Sequence, residues 1–85
     1  RYYLAPFRLG ELYFNQGRPA EALDMFARTV ELAPRFPDGH YWQGLVYMKI
    51  KDPEKAKQSF REVVRLAPAS ETARLANNYL KIINK

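Results

Sequence analysis

The sequence contains no cysteine, one histidine (His40), one tryptophan (Trp42) and two serines. Without cysteine there is no disulfide, no thiol nucleophile and no thiolate-held metal. His40 alone cannot assemble a zinc site and reads as an ordinary helix-start residue. Ser59 and Ser70 have no base at useful spacing and no strand–turn–helix elbow around them. Gly10, Gly17, Gly39 and Gly44 are scattered, so no glycine-rich loop is present to cradle a phosphate. Apolar runs last only a few residues, far short of the ~20 that cross a bilayer. No catalytic residue, cofactor, metal or transmembrane segment is expected.

What is present suits a folded domain. In 85 residues, 47% are hydrophobic and 27% charged, which is ordinary for a globular chain and argues against disorder. The length allows one small domain. Fourteen Lys and Arg against nine Asp and Glu give a net charge of +5. The excess is spread along the chain and interleaved with acids. The basic line Lys57, Arg61 and Arg65, with Lys49 and Lys51 before it, therefore reads as a solvated helix face with local pairing such as Glu62–Arg65 and Asp24–Arg28. Binding of a nucleic acid or an anionic membrane surface by that line is the lesser alternative, and no specific nucleic acid is expected as a partner. The opening Arg1-Tyr2-Tyr3-Leu4 lacks a methionine and reads as a boundary inside a longer protein.

Internal repetition organises the chain. A shift of 34 residues superposes Gly10 on Gly44, Tyr13 on Tyr47, Pro19 on Pro53, Ala22 on Ala56 and Phe26 on Phe60. Val30, Leu32, Ala33 and Pro34 then fall on Val64, Leu66, Ala67 and Pro68. The repeats are residues 3–36 and 37–70, with 71–85 left over. Each repeat reads as two helices. In the first, Leu9, Leu12, Tyr13 and Phe14 recur at helical spacing until Gly17, which suits a left-handed stop. Pro19 opens the second helix, whose stripe is Ala22, Leu23, Phe26, Val30 and Leu32 and which stops before Pro34. In the second repeat a helix runs to about Ile50, Asp52 caps the next one, and Pro53 and Glu54 start it. Small residues at Gly10 and Ala22, and at Gly44 and Ala56, mark where antiparallel helices touch. Ser70 is the expected cap of a last helix with Ala76, Tyr79, Leu80 and Ile83 as its stripe. Asn77 and Asn78 stand there in place of a Leu-Gly pair.

These residues resemble the tetratricopeptide pattern W-x-x-L-G-x-x-Y, A-x-x-x-F, P with a period of 34. Leu9, Gly10, Tyr13, Ala22, Phe26 and Pro34 match in one repeat, and Gly44, Tyr47, Ala56, Phe60 and Pro68 in the other. Pro6 and His40 replace the Trp of the pattern, and in the second repeat Gln43 replaces its Leu. The resemblance implies an all-α superhelix of two hairpins closed by a capping helix at 71–85. It further implies that the first helix of each hairpin lines a concave groove. The groove positions are Leu4, Phe7, Glu11, Phe14 and Asn15, then Asp38, Tyr41, Leu45, Met48 and Lys49. That set is mostly apolar and aromatic, and suits an apolar peptide or an amphipathic helix. The implied role is a protein-binding scaffold. The alternative is a self-associating or structural segment of a longer array, in which neighbouring repeats or a second copy cover the same residues.

One subset of this family clamps the C-terminal carboxylate of heat-shock chaperones with Lys and Asn. Phe7, Glu11, Tyr41 and Leu45 occupy the clamp positions here. The chain is expected to ignore an acidic chaperone-tail peptide; low-micromolar affinity in titration calorimetry would refute this.

Overall fold

A computed structural model describes residues 1–84. Five helices follow one another: α1 (Leu4–Asn15), α2 (Pro19–Leu32), α3 (Pro37–Lys49), α4 (Pro53–Leu66) and α5 (Glu71–Ile83). No strand occurs among the described residues. The expected capping helix is α5; Lys85, counted at its end, lies outside the described residues. Helices α1 and α2 form one hairpin, α3 and α4 the next, and α5 covers α4.

The helix boundaries follow from local chemistry. Both hairpin turns end their first helix with the same pair of backbone bonds. In the first, Arg18 N–H donates to Tyr13 O at 2.9 Å and Gly17 N–H to Phe14 O at 3.0 Å. In the second, Asp52 donates to Tyr47 O at 2.8 Å and Lys51 to Met48 O at 3.1 Å. This paired closure needs a left-handed residue at its centre. Gly17 takes φ 73° without cost, whereas Lys51, one repeat on, takes φ 65° with a side chain attached. Asp52 accepts from Lys55 N–H at 3.3 Å and Ser70 from Ala73 N–H at 3.0 Å, each satisfying a free donor at a helix start. His40 Nε2 lies 2.9 Å from Pro34 O, which fastens the start of α3 to the loop before it.

Within each hairpin, one glycine receives one phenyl ring. A Cβ placed on Gly10 would lie 2.6 Å from Cε1 of Phe26, and one on Gly44 would lie 2.5 Å from Cε1 of Phe60. Real side chains do not approach that closely, so these glycines are required by the rings, which are fully buried. Ala22 and Ala56 are also fully buried.

Two aromatic clusters join the hairpins into a stack. In the first, Trp42 of α3 stacks on Phe26 at 5.6 Å between ring centroids and meets Phe14 edge-on at 5.5 Å. Phe7 completes it, 5.2 Å from Phe36 and 5.9 Å from Phe26. In the second, Tyr79 of α5 stacks on Phe60 at 5.0 Å, with Tyr41 edge-on to Tyr79 at 6.3 Å. Such pairs add about 0.5–1.5 kcal/mol each beyond the area they bury.

The hydrophobic stripes differ from the expected ones in three places. Leu9, Leu12 and Leu32 are 39%, 51% and 50% exposed. The buried line of α2 runs through Ala22, Phe26 and Thr29, and Leu32 lies about 90° off its centre at ~100° per residue. In α1 the buried residues are Pro6, Phe7 and Gly10, and Leu12 points about 160° away from Gly10. Thr29, buried among them, gives its hydroxyl proton to Met25 O at 2.9 Å.

Opposite outcomes are expected from two substitutions. Gly44→Val should cost about 2–3 kcal/mol through overpacking against Phe60, and Lys51→Gly should stabilise by about 0.5–1 kcal/mol. Urea melts followed by circular dichroism measure both. A stable Gly44→Val domain would show that the ring does not need the glycine.

Candidate functional site

The leading helices α1, α3 and α5 lie side by side, α1 against α3 and α3 against α5, while α2 and α4 make no contact with each other. A stack in which only one set of helices touches curves towards that set, so the leading helices form its inner face. A side-chain bond spans this face: Thr72 Oγ1 donates to Asp38 Oδ1 at 2.9 Å, between two residues one repeat apart.

The expected groove residues divide by helix and by burial. On α1, Phe7 is 6% exposed and belongs to the core with Phe26, and Phe14 is half-buried against Trp42. Leu4 is half-buried, Asn15 is exposed, and Glu11 pairs with Arg8 at 3.4 Å. On α3, Tyr41, Leu45 and Met48 are half-buried, with their inner sides on the cluster around Phe60. Asp38 is held by Thr72, and Lys49 is exposed. The structure therefore brings Leu45 and Met48 together beside α5 and withdraws Phe7 into the interior.

The sequence pattern marks α5 as a cover, yet the repeat period also carries the candidate groove positions onto it. Counting 34 residues on from Tyr41, Leu45 and Met48 gives Leu75, Tyr79 and Ile82. Ile82 is 61% exposed, the most open large aliphatic side chain of the described residues. The repeat period itself was the signal, had it been continued past residue 70.

Several charged groups pair with a neighbour three residues along the chain. Arg18 pairs with Glu21, Glu54 with Lys57, Glu62 with Arg65, and Glu71 with Arg74, each three residues apart. The hydrogen bond from Arg65 holds the Glu62 carboxyl below its usual range, and Arg74 does the same for Glu71. These pairs lie at the surface and contribute little to stability. They also engage Lys57 and Arg65 of the basic line on α4. An open recess of about 330 Å³, lined by Pro68, Ala69, Ser70, Glu71, Arg74 and Asn77, lies at the α4–α5 turn. Among the described residues no cluster of acidic, His or Cys side chains could hold a metal ion, and no helix is long and apolar enough to cross a membrane.

Burial, then the neighbouring Tyr79 and Asp38, push the Tyr41 phenol above its ordinary range. The neutral phenol is thus favoured by folding. The unfolded chain ionises near pH 10, so the stability tied to this group is intact below about pH 10 and is lost as pH climbs towards the folded value. Thermal melts of Tyr41→Phe should therefore decline less steeply than wild type above about pH 10; parallel declines would remove Tyr41 from the cause.

Comparison with known proteins agrees with this architecture. The family model described as tetratricopeptide repeat matches residues 7–71. The chain is also 31% identical over 72 residues, 85% of its length, to the UDP-N-acetylglucosamine–peptide N-acetylglucosaminyltransferase of Giardia intestinalis. The matched stretch is 5% of that protein, and the transferase activity is a statement about that protein. With the family model spanning most of the chain and the glycine–phenyl hairpins repeated at 34 residues, this chain belongs to the tetratricopeptide repeat family, whose repeats are non-catalytic modules for protein–protein interaction.

Proposed function

We propose that the chain is a protein-binding scaffold module whose inner face takes an apolar peptide or an amphipathic helix. The observation that carries this reading is the apolar strip across the leading helices: Leu4 on α1, Leu45 and Met48 on α3, and Leu75 and Ile82 on α5. These side chains are half-buried or exposed, and they stand on the three leading helices, which contact one another along the stack. Asn15, Asp38 and Lys49 add polar groups at its margins. An apolar strip with a polar rim fits a ligand helix that buries one face and leaves the other in water. Phe7 and Phe14 support this face from beneath, and the contact with a ligand falls to the α3 and α5 rows.

Selection of 16-residue peptides from a displayed library against the folded chain tests the proposal. Bound peptides should carry apolar residues at helical spacing. Leu45→Glu and Ile82→Glu, each checked for an unchanged helical spectrum, should weaken them at least about tenfold, a loss of ~1.4 kcal/mol. Peptides indifferent to both changes would place the binding surface elsewhere.

A further inference from the structure

The inner edge of α3 carries a line of three unlike residues. Seven residues separate Leu45 from Asp38, and eleven separate Lys49 from it. At ~100° per residue both separations bring the helix back to within about 20° of its starting direction. Asp38, Leu45 and Lys49 therefore stand one above another, an acid and a base with an apolar side chain between them. The bond from Thr72 fixes where this line faces, since it ties Asp38 to the next leading helix of the stack. Asp38 and Leu45 are half-buried, and Lys49 is exposed.

An acid in the first turn of a helix and a base in the last suit its dipole, but the dipole does not choose a side of the helix. Helix α5 carries the same two charges differently. There Glu71 is bonded to Arg74, and Lys81 follows Thr72 by nine residues, which places it half a turn from the inner face. One repeat earlier and one later, the line of α3 reads Leu4, Glu11, Asn15 and Thr72, Tyr79, Ile83. Its single charge, Glu11, is taken up by Arg8. Among the described residues neither Asp38 nor Lys49 has an ion-pair partner. Thr72 occupies one carboxylate oxygen of Asp38 and leaves the other for a ligand. Of the three leading helices, α3 alone sets opposite charges at the two margins of the apolar strip.

The spacing of these charges matches a helix laid across α3. Eleven residues put Asp38 and Lys49 ~16 Å apart along the axis, and a helix with its side chains is about 10–12 Å wide. Leu45 lies ~10 Å from Asp38 and ~6 Å from Lys49 along that axis. A long cationic side chain of the ligand spans the wider gap, and the long Lys49 side chain closes the narrower one on a carboxylate. Resting on the reading of this face as a helix-binding groove, we propose that Asp38 and Lys49 select the ligand by charge: Lys or Arg on one flank of its apolar stripe, Asp or Glu on the other. The flanks of a helix change places when its chain direction is reversed. The same two residues therefore set the direction in which the ligand lies.

Three 16-residue helical peptides with the same stripe of leucines test this. One carries Lys on one flank and Glu on the other, one carries Glu on both, and one carries Lys on both. At ~0.15 M salt, screening over ~8 Å limits the pull of the chain's net charge of +5. The mixed peptide should then bind about fivefold tighter than either uniform one. Asp38→Asn keeps an acceptor for Thr72 and removes only the charge, so it should abolish the disadvantage of the all-Glu peptide. Lys49→Gln should do the same for the all-Lys peptide. Exchanging Lys and Glu between the flanks of the mixed peptide should reverse its direction. A nitroxide on the peptide's N-terminus would then broaden NMR signals of α1 in one case and of α5 in the other. Equal binding of the three peptides would overturn the proposal and leave the groove standing. So would a preference unmoved by both variants, tightest binding of the all-Glu peptide, or a label that stays at one end. Binding of none of them would remove the groove reading and this one together.

Discussion

Everything in this molecule is arranged around a phenyl ring seated on a glycine. Phe26 over Gly10 and Phe60 over Gly44 set how closely the two helices of each hairpin approach. A helix pair held at that distance offers a broad flat edge, and the next helix has to supply large aromatic side chains to cover it. Trp42 does so for the first hairpin, inclined 29° to Phe26, and Tyr79 for the second, 7° from parallel with Phe60. The contact within a hairpin thus prepares the contact between hairpins. Because each ring is buried on both sides, its environment tolerates neither a larger residue beneath nor a smaller one above.

This coupling gives the stack a nearest-neighbour character. No helix contacts one more than two places along the chain. Stability in such an array is approximately a sum of unit terms and interface terms. The interfaces are where the two clusters of aromatic rings sit, and they carry more apolar contact than the outer surfaces do. The surface ion pairs, all three residues apart on single helices, reinforce individual helices without linking one to another.

Much of this was legible in the residues. The identities at a spacing of 34 located both hairpins, and Pro19, Pro53, Asp52 and Ser70 marked helix starts that lie where expected. Those features are local, so sequence reports them directly. Burial is not local. The helical spacing of Leu9, Leu12 and Leu32 was right, yet which side of a helix is covered depends on a neighbour that periodicity does not name. Phe7 shows the same limit from the other direction, since its position matches a ligand contact while Phe36 at the end of its own repeat and Trp42 of the following one enclose it. The third row on α5 went unread because Asn77 and Asn78 break the hairpin pattern, although the positions of Leu75, Tyr79 and Ile82 continue it.

Trp42 has a consequence for how this protein can be watched. It is the chain's one indole, and it sits at the seam between the two hairpins, between Phe14 of α1 and Phe26 of α2. Its fluorescence therefore reports the seam and not the whole. Separation of the hairpins would expose it to water and shift its emission to longer wavelength. Loosening of α5 from α4 would leave it unmoved, because the ring stacked there is a tyrosine. Far-ultraviolet dichroism, which sums over all five helices, would register both events. A mismatch between the two signals on heating would therefore give the order in which the stack comes apart: an end that opens first would lower the helical signal before the indole responds.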